Sequence, residues 1–140
     1  MLIIDAHLDL AWNALQWNRD LLQATPTMRA NEVRISGKGR ARNTVAIPEM
    51  RAGRIAVCFA TLLARATGQV LHHIDYHSQT QAFGIAHGQL AYYRALEKQG
   101  IARILVDTAG LDAHLNEWLA WETDGAKADA TPPLGFVISM

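Results

Sequence analysis

The chain has 140 residues, half of them apolar, with 13 basic and 13 acidic side chains. This apolar fraction excludes a disordered chain, because a chain of this length can bury a hydrophobic core. The formal charge is zero, so the chain has no uniformly basic composition and we expect no nucleic-acid partner. The single cysteine, Cys58, excludes an internal disulfide and cysteine-based zinc fingers.

The sequence also bears on membranes, location and size. No apolar run is long enough to cross a bilayer, so we expect no membrane span. Met1 leads directly into residues 2–5 without a basic segment or a cleavable apolar stretch, and the expected location is cytoplasmic. A complete (β/α)8 barrel usually takes about 250 residues. If the motifs indicate such a barrel, we therefore expect this chain to be only part of one.

The first third of the chain is predicted to contain one strand, two short helices and a long connection. Residues 2–7 are apolar up to a sharply polar end, which is typical of a buried parallel strand. A short helix is predicted over residues 10–17, and residues 18–46 lack periodicity and form the connection. Pro48 near the start and Gly53 past the end then indicate one helical turn.

The remainder of the chain is predicted to alternate between strands and helices. Residues 55–63 are continuously apolar or small, as in a strand covered on both faces. Helical spacing predicts a long helix over residues 75–99. The apolar positions of that helix are Phe83, Ala86, Leu90, Tyr93 and Leu96. Residues 103–106 predict a short strand, Thr108 can cap a second helix, and residues 134–140 predict a buried strand. This alternation predicts a parallel α/β fold.

Two side chains that can bind a metal stand at the polar end of the first predicted strand. His7 and Asp9 are two residues apart, and the period of two in a strand puts both on the same face. An imidazole nitrogen and a carboxylate oxygen are both zinc ligands, and catalytic groups gather at this end of barrel strands. The pair therefore predicts a shared metal ion, although such pairs also arise by chance as ordinary hydrogen-bonded residues.

Two separated segments resemble one enzyme family. Residues 4–12, IDAHLDLAW, are similar to the first-strand signature DGHNDLPW of the membrane (renal) dipeptidase family, peptidase family M19. Residues 18–20 stand where that family often has a similar Asn-Arg segment, and residues 47–53, IPEMRAG, are similar to its Ile-Pro-x-Leu-Arg-x-Gly element before the second strand. Residues 135–140 look like the family strand that delivers a metal-bridging Glu immediately afterwards. The departures from the first signature are Ala6 for Gly, Leu8 for Asn and Ala11 for Pro.

The resemblance implies a fold, an activity and a site. The fold is α/β, a partial (β/α)8 TIM barrel of the metallo-dependent hydrolase type, with residues 1–140 as the N-terminal part of one domain and its first three or so β/α units. The activity is hydrolysis of dipeptides by a zinc-dependent enzyme whose complete site holds two zinc ions. The ligands that carry over fall on His7 and Asp9, and Trp12 follows them as a candidate for substrate binding.

The bridging Glu and the later His ligands of that family have no counterpart among the 140 residues. We therefore expect the chain alone to be inactive. The expected partners are a dipeptide substrate and either the remainder of the barrel or a second copy of the chain. An alternative from a different class is a non-catalytic remnant that binds another polypeptide through its exposed sheet edges. Another hydrolase of the wider amidohydrolase group is disfavoured, because those enzymes more commonly carry His-x-His on the first strand.

Other candidate residues favour structural roles. His73 and His77 could clamp a metal on one helical face, but without a third ligand a solvated helix start is favoured. Cys58 lies in an apolar strand and is predicted to be a small buried hydrophobe rather than a nucleophile. A basic cluster is predicted to be a solvated loop or a domain contact rather than a phosphate site. It comprises Arg29, Arg34, Lys38, Arg40 and Arg42. The remaining histidines are predicted to be surface or hydrogen-bonded residues, and they are His72, His87 and His114.

Overall fold

A computed structural model describes residues 1–69, 74–126 and 131–140, and strands and helices alternate along them. The described strands are β1 (Ile3–Leu8), β2 (Ile55–Thr61), β3 (Ala102–Ile104) and β4 (Leu134–Ser139). The described helices are α1 (Leu10–Leu15), α2 (Thr25–Glu32), α3 (Ile47–Ala52), α4 (Gln79–Lys98) and α5 (Thr108–Thr123). The described strands are all parallel and form one sheet, which confirms the parallel α/β prediction.

The order of strands in the sheet is β1-β2-β4-β3, so β3 does not lie between its sequence neighbours. Val57 of β2 pairs with Gly135 of β4, and Ala102 of β3 pairs with Leu134 on the other side of β4. A barrel of successive β/α units places consecutive strands side by side. The observed order departs from that of a barrel at β3, which occupies the outer edge of β4.

β1 is more exposed than its apolar sequence predicts. Within the described residues it pairs with β2 alone, and Ile4 is 55% exposed. The prediction of a buried strand is therefore wrong for this part of the chain, because an edge strand has a neighbour on one side only. Phe59 of β2, which lies on the same face as Val57 and Ile4 by the strand pairing, is 38% exposed. One face of the sheet therefore keeps part of its apolar surface open.

A large part of the core lies on the other face, between the sheet and α4, while α5 covers Gly135 on the first face through His114. Tyr93 and Leu96 of α4 are buried, and the Tyr93 ring meets the Phe136 ring of β4 edge-on at 5.5 Å between centroids. Burial of each such large side chain stabilises the fold by about 2 kcal/mol. α4 begins at Gln79 rather than near residue 75, because Ser78 caps it and forms a capping box with Gln81.

Phe83 is 66% exposed and lies at a groove, although its spacing predicted the buried face of α4. The groove is about 290 Å³ and is bounded by residues of α4 and by the residues that follow β2 and β4. Leu62 and Met140 are two of these residues, so Phe83 lies past the C-terminal ends of the strands. The sheet is too short to cover the first turns of α4, which is why the helical periodicity overestimates the buried stripe.

α5 closes the N-terminal end of the sheet. Glu122 binds the amino group of Met1 and the guanidinium of Arg54, and the Trp118 indole N–H donates to the Pro133 carbonyl at 2.9 Å. Met1, Arg54 and Pro133 each lie just before a strand. Asp107, and not Thr108, caps this helix, since its side chain accepts from the Gly110 N–H. The polar residues of β1 lie toward the opposite end of the sheet, where the strands end.

The connection over residues 18–46 is more ordered than predicted, because it contains α2 and a buried ion-pair cluster. Glu32 accepts from Arg19 Nε at 2.8 Å and from Arg40 Nη1 at 2.9 Å. Both guanidiniums lie over the Trp17 ring, at 4.9 and 4.8 Å from its centroid. Arg40 is thus a partly buried structural cation that pairs with Glu32 of the same chain, and its prediction as a solvated or contact residue is wrong.

His114 is buried and hydrogen-bonded inside the fold. Its Nε2 lies 2.8 Å from the Ala56 carbonyl oxygen, which can only accept, so Nε2 carries the proton. Its Nδ1 faces Arg103 Nη1 at 3.4 Å, as suits an acceptor nitrogen on a neutral ring. Burial lowers the pKa of His114 below its ordinary value of 6.5, with the nearby Arg103 charge acting in the same direction. The prediction that this histidine is hydrogen-bonded is confirmed.

Acidification is expected to destabilise the fold through His114. Because its pKa is lower in the folded than in the unfolded chain, the unfolded chain binds a proton more readily once the pH falls below about 6.5. The free energy of unfolding should therefore decrease from pH 7.5 to pH 5.5. Urea unfolding of the wild type and of His114→Gln at both pH values measures the effect. Equal pH dependence in the two proteins would contradict the role assigned to His114.

Candidate metal site

His7 and Asp9 meet at the C-terminal end of β1. His7 Nε2 lies 3.4 Å from Asp9 Oδ1, and the two side chains are 70% and 28% exposed. Two ligand atoms bound to one tetrahedral zinc at its usual bond lengths are about 3.3 Å apart. The observed separation is therefore compatible in distance with a shared zinc ion and equally with a direct ion pair of the two side chains. Zinc binding by this pair stays a prediction.

Asp9 also stands at the N-cap position of α1, but its side chain does not cap the helix. Aspartate is among the best N-cap residues because its carboxylate accepts from the free N–H groups of the first turn. Here the Ala11 N–H instead donates to the hydroxyl of Tyr93 at 3.0 Å. The Asp9 carboxylate is therefore directed toward His7 and Thr61.

The hydroxyl of Thr61, the last residue of β2, donates to Asp9 Oδ1. Thr61 is itself anchored, because its carbonyl accepts from the Tyr93 hydroxyl at 2.9 Å. The sequence-based prediction missed both Thr61 and Tyr93. A signal for Thr61 was present, since it is the polar residue that ends the strand beside β1, and parallel strands end at the same edge of a sheet.

The described residues supply only part of a catalytic metal site. Across residues 1–69, 74–126 and 131–140, no group of three or more His, Cys, Asp or Glu side chains converges. Catalytic zinc sites generally use three protein ligands. Within the same ranges, no side chain or backbone group is hydrogen-bonded to the imidazole of His7, so its ring is not yet held by an outer partner. A complete site thus needs groups beyond those described.

The histidine clamp considered for the start of the long helix gains no support. His73 lies outside the described residues, and His77 is exposed in the loop before α4. Asp75, the carboxylate between them in sequence, accepts from the Thr67 N–H at 2.8 Å and from the Thr67 hydroxyl. The Thr67 hydroxyl is the main cause of the lowered pKa of Asp75. Asp75 is thus engaged in a local turn rather than facing an open cation site.

Trp12 and Cys58 both pack against other residues of the fold. Trp12 lies half-buried in α1, with its ring edge-on to Trp17 at 5.6 Å and 75°. Its contact with a substrate stays a prediction. Cys58 is buried in β2, and burial raises the pKa of its thiol to about 12. The prediction that Cys58 is buried is confirmed, and the raised pKa disfavours the thiolate, which is the reactive form.

Comparison of the chain with protein-family models, with curated proteins and with solved structures finds no match. Among the described helices, none combines the length and apolar character needed to cross a bilayer. Function is therefore inferred from the residues at the end of β1 and from the sequence patterns around them.

Proposed function

We propose that this chain provides the first part of a zinc-dependent dipeptidase built on a (β/α)8 barrel. The observation that carries the proposal is the 3.4 Å separation of His7 Nε2 and Asp9 Oδ1 at the C-terminal end of β1. Residues 4–12 and 47–53, which resemble two elements of the membrane dipeptidase family, support it independently. The second of these segments folds as α3 immediately before β2, which is its position in the family pattern.

Two features of the sheet support the barrel, whereas the position of β3 at the outer edge of β4 departs from the barrel strand order. Catalytic groups of barrel enzymes lie at the C-terminal ends of the strands, and α5 closes the other end here. The face that carries Ile4 and Phe59 keeps apolar surface exposed, at 55% and 38%. In a closed barrel the face away from the main helices points inward and is packed by side chains of the other strands. The remaining strands of a barrel would therefore cover this surface.

In the proposed site the zinc ion would supply the Lewis acidity and the side chains of the chain would bind and position the ion. Zinc, when bound, supplies the Lewis acidity that permits hydrolysis near neutral pH. His7 and Asp9 would hold the ion, and the Thr61 hydroxyl orients the Asp9 carboxylate. The high exposure of His7 leaves the site open to a substrate arriving from the C-terminal end of the sheet.

Zinc binding to the 140-residue chain tests this proposal. We expect added zinc to shift the imidazole resonances of His7 saturably in NMR spectra at pH 7.5. His7→Ala should weaken the zinc affinity, measured for every variant by isothermal titration calorimetry, by at least about tenfold, since even loss of an outer partner of a metal ligand costs about 10 to 100-fold. His87→Ala is the matched control, because His87 is an exposed histidine on α4 whose ring bonds only to its own helix. Equal affinities in all three proteins would refute the proposed site.

Turnover provides a second measurement. Because the described residues bring only two ligands together, we expect the purified chain to hydrolyse no dipeptide with or without zinc. Activity is expected only when polypeptide supplying further ligands is present. Dipeptide hydrolysis by the chain alone, abolished by a chelator, would contradict the need for the remainder of a barrel.

A non-catalytic interaction module is the second candidate, and the open edge of β1 favours it. Ile3 and Ile4 are 41% and 55% exposed on a strand that, within the described part of the chain, has one neighbour. Unpaired strand edges and exposed apolar surface are typical of association sites. Sedimentation of the metal-free chain separates the two candidates. A stable oligomer that binds no zinc through His7 would favour the interaction module.

A further inference from the structure

We propose that Thr61 is a positioning residue that aims the Asp9 carboxylate at the metal, and that Tyr93 frees this carboxylate by capping α1 in its place. The inference rests on the zinc site proposed above and assigns it two supporting residues from β2 and α4. It follows from the hydrogen bonds that join α1, β2 and α4 at the C-terminal end of the sheet.

The first step is the unusual position of Asp9. An aspartate at the N-cap of a helix usually turns its carboxylate back onto the first-turn N–H groups, which stabilises the helix by about 1 kcal/mol. Asp9 makes no such bond. If the Asp9 carboxylate capped α1, one of its oxygens would accept from the backbone and the orientation of the carboxylate would be fixed by that bond. Its absence from the cap leaves Asp9 available to His7.

The second step is the group that replaces it. The Tyr93 hydroxyl accepts from the Ala11 N–H at 3.0 Å and donates to the Thr61 carbonyl at 2.9 Å. One buried hydroxyl thus satisfies the start of α1 and the end of β2 together. Tyr93 is fully buried, and the same environment raises the pKa of its hydroxyl, so this group remains a donor. Helix α1 consequently does not need the Asp9 side chain.

The third step is the direct contact. The Thr61 hydroxyl has one proton and two acceptors in reach, the Leu8 carbonyl at 3.2 Å and Asp9 Oδ1, which is closer. A carboxylate is the stronger acceptor, because a charge-assisted hydrogen bond is roughly twice as strong as a neutral one. Thr61 is only 6% exposed, so water does not compete freely for this hydroxyl. Asp9 is therefore held by a buried hydroxyl.

Two substitutions at Thr61 distinguish positioning from packing. Thr61→Val keeps the branched shape and loses the hydroxyl, whereas Thr61→Ser keeps the hydroxyl and loses a methyl group. We expect the zinc affinity, measured on the 140-residue chain by the calorimetric titration, to fall about tenfold or more in Thr61→Val. It should stay within about threefold of wild type in Thr61→Ser. A packing role predicts the opposite order, with valine the milder change.

Tyr93→Phe is the second variant. It removes the hydroxyl that caps Ala11, so Asp9 is expected to turn onto α1 and the zinc affinity should fall by about tenfold. This variant keeps the ring, and therefore the contact with Phe136, and it supplies the test if Thr61→Val does not fold. Circular dichroism and thermal unfolding confirm that each variant is folded at the titration temperature.

The outcomes separate this inference from the proposed function. If zinc binding by the wild type does not depend on His7, the site itself is wrong and the positioning role falls with it. If wild-type binding depends on His7 but Thr61→Val or Tyr93→Phe binds zinc as tightly as wild type, the site stands and the positioning role is refuted. A His7-dependent affinity that falls in both variants and returns in Thr61→Ser supports both.

Discussion

Replacement of Glu32 by glutamine is expected to lower the free energy of unfolding by about 3 to 5 kcal/mol. Glu32 is the carboxylate that neutralises Arg19 and Arg40, and Arg19 and Glu32 are themselves buried. Glutamine keeps the shape of the side chain but leaves two guanidiniums without a counter-charge around Trp17. Urea unfolding at pH 7 measures the loss.

The matched control is Glu117→Gln. Glu117 pairs with Arg103 at 2.7 Å, and both side chains are exposed by 40% or more. Solvent and salt screen such a pair, so its removal should cost less than about 1 kcal/mol. Equal losses in the two variants would show that the Glu32 cluster is no more important than a surface ion pair.

The same cluster predicts a response to acid. The hydrogen bonds from Arg19 are the largest cause that lowers the pKa of Glu32 from 4.5 to about 2. Because this pKa is lower in the folded chain, the stabilisation is complete above about pH 4.5 and is lost as the pH falls toward 2, by an amount on the order of 3 kcal/mol. The pH dependence between 5 and 2 should therefore be steeper in the wild type than in Glu32→Gln.

Replacement of Gly135 by alanine is expected to destabilise the fold by about 3 kcal/mol, through overpacking and a damaged buried hydrogen bond. A Cβ at this position would lie 2.6 Å from His114 Nε2 and 2.9 Å from Leu105 Cδ1. His114 cannot easily move away, because it is fully buried and its Nε2 binds the Ala56 carbonyl. The free energy of unfolding from urea titration measures the effect.

Gly88→Ala is the control for this substitution. Gly88 lies within α4, and a Cβ there would meet nothing within 4 Å. Alanine is the better helix former by about 1 kcal/mol, so this variant should be more stable than wild type. Opposite signs for the same chemical change would locate the cost at the contact with His114. A neutral result for Gly135→Ala would mean that α5 can shift away from β4.

Local sequence patterns predicted the helices and strands better than they predicted the contacts and burial of those helices and strands. Ser78 and Gln81 form a capping box in the sequence itself, yet the predicted helix began several residues early because the polar loop before it carries no clear breaker. Helix α2 was missed because its polar residues lack an apolar stripe. Its order comes from Glu32, whose partners stand 13 and 8 residues away in sequence. A pattern read from a short stretch of sequence cannot predict contacts between residues so far apart.

The candidate site shows the same division. The contact of His7 with Asp9 was predicted from the period of two in a strand, but β1 ends at Leu8 and Asp9 lies at the start of α1, so the contact depends on the turn between them. Thr61 of β2 and Tyr93 of α4 complete the site. Thr61 is 52 residues from Asp9 in sequence, and Tyr93 is 82 residues from Ala11. Their place depends on which strands neighbour each other and on how α4 lies across the sheet. Spacing along a chain does not encode either property.

By itself, the amino-acid sequence determined the alternation of strands and helices and the burial of Cys58, since both follow from propensity and from the apolar pattern. The tertiary structure decided the strand order, the exposure of β1 and the carboxylate orientation at Asp9. The reason is that exposure and hydrogen-bond partners are properties of neighbours in space. An apolar strand becomes buried only where something packs on it, and an aspartate leaves its helix cap only where another hydroxyl takes its place.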